Sequence, residues 1–181
     1  MSRVEHNFPN PERFVIGTVG VPGERQFYLQ VREGSRLLSF ALEKTQAAAL
    51  GERAIELLRE AGEPIPATES DIAPLDTPID SEFTIGVMSL TWQVIERLVQ
   101  FEAQSIGDGA AERIFEELIE DDQDAAPPIL RVSLTPLQVA QFARRTAQVV
   151  SAGRQPCVFC GGPINPGGHL CPRANGHRRS E

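Results

Sequence analysis

The chain of 181 residues, 41% of them hydrophobic and 23% charged, is long enough for one globular domain with its own core. No hydrophobic run approaches the roughly 18 residues of a membrane span, and MSRVEHNFPNPERF lacks the apolar centre of a signal peptide, so we expect a cytoplasmic protein without a membrane partner. The net charge is −8, and residues 151–181 hold four arginines against Glu181 alone, so the excess negative charge lies in residues 1–150. Such an acidic body argues against a long groove for nucleic acid, which would need a basic surface.

The first predicted unit, residues 13–61, has three strands followed by a helix. The stretch FVIG (14–17) begins the first strand, and RQFYLQVRE supplies the second, with hydrophobic residues at every other position. The third strand alternates in the same way. A helix follows, because hydrophobic residues then recur on one helical face: Leu50, Ala54, Leu57, Leu58 and Ala61.

The second predicted unit, residues 83–152, repeats this order after a connection rich in Pro and Asp (62–82). FTIG (83–86) begins it, ERLVQFEAQ is the expected second strand, and a third strand leads into a helix that starts at Thr135 and Pro136. An acidic insertion, about 107–128, interrupts the unit. We interpret it as a solvated linker with a helical stretch near 110–119.

The two units align without gaps where strand meets helix, 37–58 against 129–150. Five aligned pairs are identical: Leu38/Leu130, Leu42/Leu134, Gln46/Gln138, Ala48/Ala140 and Arg53/Arg145. We therefore predict an α+β fold in which two tandem strand-strand-strand-helix repeats form one domain, residues 1–152, about a pseudo-twofold axis.

All three cysteines and two of the three histidines lie within 157–177. A Cys-x2-Cys turn supplies two thiolates from one tight loop, and the glycines after Cys160 and before His169 allow the chain to fold back around a metal. We predict a structural Zn²⁺ site in a zinc-ribbon-like tail, residues 153–181. Its expected ligands are Cys157, Cys160, His169 and Cys171.

Other interpretations of this cluster remain open. His177 is a rival to His169 as the fourth ligand. A redox Cys-x2-Cys pair usually begins a helix, whereas glycine and proline follow here. A catalytic zinc is disfavoured because no acidic residue lies between Gly153 and Ser180 to act as a general base. The last alternative is that the cysteines bind no metal.

The chain resembles the domain of unknown function family 3090, a repeat protein family of high-GC Gram-positive bacteria. The matching stretches are RFVIGTVGVPGERQFYLQ, ALEKTQ, FTIGVMSL, RVSLTPLQVAQFARR and CVFCGGPINPGGHLCPRANG. The resemblance implies His169 as the ligand, because the position of His177 is often Tyr in the family. The chain departs from the family at TWQVIERLVQ, where a more polar hairpin turn is expected. The family implies no activity.

Two functions from different classes fit these observations. The first is a non-enzymatic interaction module that binds a protein partner. The second is an enzyme or small-ligand-binding protein that uses the cleft between the two repeats. No Ser-His-Asp set can be assembled when two of the three histidines lie in the tail, which favours the interaction module.

Overall fold

A mixed α+β fold is found in the computed structural model, which describes residues 3–105, 127–153, 157–162, 164 and 168–173. Its elements are β1 (Glu5–Phe8), β2 (Arg13–Val19), β3 (Gln26–Glu33), β4 (Arg36–Leu42), α1 (Lys44–Glu60), β5 (Ser81–Gln93), β6 (Leu98–Ser105), β7 (Ile129–Leu134) and α2 (Pro136–Ser151). The strands form one sheet in the order β1-β7-β6-β5-β4-β3-β2. In the described residues, neither helix is long and apolar enough to cross a bilayer.

The sheet consists of two antiparallel three-stranded meanders, β2-β3-β4 and β5-β6-β7, which meet where β4 and β5 run parallel. Alternation in the sequence fixes the buried face: Phe27, Leu29 and Val31 of β3 all lie in the core. The order strand, strand, strand, helix occurs in both units, as predicted from the sequence. The acidic insertion lies largely outside the described residues.

The second hairpin differs from the sequence prediction. We expected its second strand at 96–104, but β6 starts at Leu98 because residues 94–97 form the turn, with Arg97 in the left-handed region at φ 54°. Val94 and Ile95 point outward there, with exposed fractions of 75% and 92%. The prediction therefore began the strand two residues early, because it included Glu96 and Arg97, which belong to the turn.

The sheet curls strongly. Its two edge strands, β1 and β2, are joined by residues 9–12 alone, so their ends are at most about 18 Å apart. A flat sheet of seven strands would separate its edges by about 29 Å. The rings of Phe14 on β2 and Phe101 on β6 accordingly lie 5.4 Å apart, although three strands lie between β2 and β6 in the sheet. The core fills the inside of this curl.

Each helix is capped in the same way and ties one unit to the other. Gln46 of α1 and Gln138 of α2 both complete a capping box with the residue that precedes the helix. Gln46 Nε2 also donates to the Ile85 carbonyl of β5 at 3.1 Å, and Gln138 Nε2 donates to the Pro11 carbonyl, just before β2, at 2.6 Å. The helices pack closely at Gly51, where an added Cβ would lie 2.9 Å from Thr146 Cγ2.

The connection between the units is held by buried arginine. Arg145 of α2, 6% exposed, donates through Nε to the Ile16 carbonyl at 2.7 Å and through Nη1 to Asp71 Oδ1 at 3.0 Å. Arg13 of β2 donates to Asp71 at 2.7 Å and to Asp76 at 3.0 Å. The Pro- and Asp-rich connection is thus fastened to the body at Asp71 and Asp76.

Candidate metal centre

The structure brings together the four residues that the sequence predicts as ligands. One ligand atom from each of Cys157, Cys160, His169 and Cys171 lies within 4.8 Å of all the others. The Sγ atoms of Cys157 and Cys171 are 3.8 Å apart, and Cys160 Sγ is 3.3 Å from His169 Nε2. A tetrahedral zinc with Zn–S bonds of about 2.3 Å places its sulfurs about 3.8 Å apart. The spacing of these atoms therefore fits a tetrahedral ion.

The first half of the site is a tight turn closed by backbone hydrogen bonds. Gly161 N–H donates to the Cys157 carbonyl at 2.8 Å, and Cys157 N–H donates to the Gly162 carbonyl at 2.7 Å. Gly161 has φ 73°, a conformation that glycine adopts without the steric cost of a Cβ. The Phe159 N–H faces Cys157 Sγ at 3.4 Å, so the turn presents a donor to a thiolate.

The second half of the site arrives from a separate turn. Gly168, just before His169, has φ 86°, a backbone conformation that favours glycine. Arg173 Nη1 then donates to the Phe159 carbonyl at 3.1 Å, which joins the second half to the first. His177, the rival ligand, lies outside the described residues.

Burial and charge inside the cluster favour different protonation of two thiols. Backbone N–H groups of Cys160 and Phe159 lower the pKa of Cys157. The Gly162 N–H acts to lower the pKa of Cys160, but burial and the neighbouring sulfurs outweigh it, so the pKa of Cys160 is raised. A metal cation that binds the thiolates of such a crowded group would displace their protons into the solvent.

The donor set decides what chemistry the site can support. Three sulfurs and one imidazole are the ligands that zinc prefers, and four protein ligands complete its usual tetrahedron. Cys157 and Cys171 are each only 6% exposed. No carboxylate belongs to the cluster in the part of the chain that the structure describes. The arrangement suits a structural ion better than one that activates water.

A family comparison covers both the body and this cluster. The model of a family described as protein of unknown function, DUF3090, matches residues 6–171. The chain belongs to the DUF3090 family. The matched range includes all four cluster residues and ends before His177. No curated protein and no solved structure gives a significant match to this DUF3090 chain.

Sequence reasoning missed a groove between the helices of the DUF3090 chain. It encloses about 650 Å³ between α1, α2 and residues 65–68. Its lining includes Gly51 and Ala143, which are aligned positions of the two units, and Arg59 and Arg144 are among its charged residues. The sequence does place small residues at helical spacing on both helices, but this pattern more often indicates close packing of two helices than a groove between them.

Proposed function

We propose that this DUF3090 protein is a cytoplasmic, non-enzymatic interaction module that binds a protein partner and carries a structural zinc ion. The proposal rests above all on one observation, that ligand atoms of Cys157, Cys160, His169 and Cys171 all lie within 4.8 Å of one another. With all four positions filled by the protein, none remains for water, so the metal orders the tail rather than performing chemistry.

We further propose that residues 1–152 are a duplicated scaffold with a pseudo-twofold axis along the curled sheet. A twofold rotation about this axis would superpose β2, β3 and β4 on β5, β6 and β7. Because β4 and β5 are parallel, corresponding strands of the two units run in the same direction. The matching roles of Gln46 and Gln138 support this arrangement. So does the close approach of the helices at Gly51 and Ala143, two aligned positions.

Metal analysis of protein purified without added zinc tests the function. We expect one zinc per chain that survives dialysis, because a preformed cluster of three thiols and an imidazole holds the ion tightly. His169→Ala should lose the zinc, whereas the matched variant His177→Ala should retain it. The reverse pattern would show that His177 is the ligand, and zinc that dialysis removes from the unaltered protein would contradict a structural site.

The groove between α1 and α2 favours a second candidate function, a small-ligand-binding protein. Its volume of about 650 Å³ lies in the range of small-molecule sites. A largely apolar ligand would suit its apolar floor, since the arginines at positions 59 and 144 are balanced in the lining by Glu52 and Glu56. Native mass spectrometry should then detect a bound small molecule that Ala147→Trp, inside the groove, removes and that Gln148→Trp, outside its lining, retains.

A further inference from the structure

The two turns of the metal cluster carry large apolar side chains that point away from the protein. Val158 is 89% exposed, Phe159 61% and Leu170 88%. Of the thirteen exposed large hydrophobic residues in the described chain, four lie in the short stretch 157–171: these three and Ile164. Single exposed hydrophobic residues are ordinary, but such a concentration marks an interaction surface.

The residues that carry these side chains flank one cluster of ligand atoms. Val158 and Phe159 lie between Cys157 and Cys160, while Leu170 lies between His169 and Cys171, whose ligand atoms are all within 4.8 Å of one another. The hydrogen bond from Arg173 to the Phe159 carbonyl holds the two turns together. The hydrophobic core includes no residue of the described tail, so the body does not use this surface for its own packing.

The charge of the tail indicates what this surface attracts. Arg173 is exposed beside Phe159, and no acidic residue occurs between Gly153 and Ser180. Three thiolates around a Zn²⁺ ion leave one net negative charge, which the four arginines of residues 151–181 outweigh together with that of Glu181. The tail therefore attracts anionic groups, although the protein as a whole has a net charge of −8. An anionic bilayer would face the acidic body as well as the tail, whereas a peptide can contact the tail alone. The charge distribution thus favours a peptide.

We propose that Val158, Phe159, Leu170 and Arg173 form a docking surface for an acidic, apolar segment of a protein partner. The apolar side chains of that segment pack on the exposed tips, and its carboxylates pair with Arg173. The inference rests on the proposed zinc site, because the metal fixes the two turns relative to each other. To the proposed function, the inference adds the residues that contact the partner and the chemistry of the partner's segment.

A synthetic peptide provides a probe of this chemistry. The sequence AAERIFEELIEDDQD, residues 110–124 of this chain, combines apolar and acidic residues and can be labelled for fluorescence anisotropy with the full-length, zinc-loaded protein. We expect saturable binding that weakens as salt is raised. A peptide with Gln and Asn at the acidic positions should bind at least tenfold more weakly.

Variants of the protein separate the docking surface from the zinc site. Phe159→Ser and Leu170→Ser should each weaken peptide binding at least tenfold while one zinc per chain is retained. Ile95→Ser, which alters an equally exposed hydrophobic residue at the β5–β6 turn, should leave both unchanged. Cys171→Ser should lose zinc and peptide together.

Four results would overturn the docking surface while leaving the zinc site intact. They are absence of peptide binding, equal affinity for the neutral peptide, full affinity after Phe159→Ser and Leu170→Ser, and binding to phosphatidylserine vesicles without binding to the peptide. Tighter peptide binding after neutralisation of Glu116, Glu117 and Glu120 would assign the surface to the chain's own acidic segment and contradict an external partner. Failure of the zinc site would appear separately, as zinc missing from the unaltered protein.

Discussion

The body and the tail of this protein place their hydrophobic residues in opposite ways. In the body, large side chains such as Phe40, Leu58 and Phe101 are fully buried within the curled sheet and beneath the helices. In the described tail, only Cys157 and Cys171 are buried, and the larger Phe159 and Leu170 face outward. The body is therefore stabilised by its core, whereas the tail has no such core among its described residues and, under the proposed function, depends on ligand bonds to a metal.

Truncation of a core side chain gives the largest expected effect. Phe101→Ala should lower the free energy of unfolding by about 3–5 kcal/mol, because it leaves a cavity between β6 and the ring of Phe14. Phe159→Ala in the tail should change it by less than about 0.5 kcal/mol. Urea unfolding followed by circular dichroism measures both. Equal effects from the two variants would show that the tail belongs to the core.

The buried arginine at the sheet edge gives the next largest effect. Arg145→Ala removes the side-chain donor of the Ile16 carbonyl and one of the donors to Asp71, and should destabilise the protein by roughly 2 kcal/mol. Arg53→Ala, at the aligned position of α1, removes a solvent-exposed pair with Glu60 and should have a much smaller effect on stability. If the two substitutions lower the free energy of unfolding equally, Arg145 does not hold the connection (62–82) to the body.

Stability should depend on pH through Asp71. Burial acts to raise the pKa of this carboxyl, but hydrogen bonds from Arg13 and the Ala73 N–H, with the charge of Arg145, lower it below its usual range. The stabilisation by Asp71 is therefore complete above about pH 4, which is the pKa of this carboxyl in the unfolded chain. It is lost as the pH falls through the lower pKa that the carboxyl has in the folded protein. Asp71→Asn should accordingly be less stable than the unaltered protein at pH 7. A difference between them that fails to shrink in acid would contradict this assignment.

Removal of metal should have the smallest effect on the body. Since the described tail contributes no residue to the core cluster, a chelator should shift the unfolding free energy of the body by less than about 0.5 kcal/mol. Amide exchange in α1 and α2 should likewise be unchanged, while amides of the Cys157–Cys160 turn lose protection. Faster exchange throughout the helices on chelation would show that the tail supports the body.

The sequence predicted features that depend on neighbouring residues. Alternation in β3, the capping of α2 by Thr135 and the meeting of Cys157 with Cys160 all follow from short spacings. Contacts between distant residues gave no such signal. Arg145 and Asp71 are 74 positions apart and resemble ordinary surface charges.

Strand β1 was missed for the same reason. It has four residues, and it pairs in parallel with β7, more than a hundred residues later in the chain. Too short for a clear alternation, it becomes a strand through this pairing. The curl of the sheet was equally hidden, because it depends on β1 and β2 occupying opposite edges.

X-ray absorption at the zinc edge tests the closed structural site most directly, since it counts the atoms bound to the ion. For the unaltered protein we expect three sulfur neighbours at about 2.3 Å and one nitrogen at about 2.0 Å. We expect no bound zinc to give a signal in His169→Ala, whereas His177→Ala should keep all three sulfurs and the nitrogen. Two sulfurs with two lighter neighbours, or an oxygen from water in the fourth position, would contradict a closed site formed by Cys157, Cys160, His169 and Cys171.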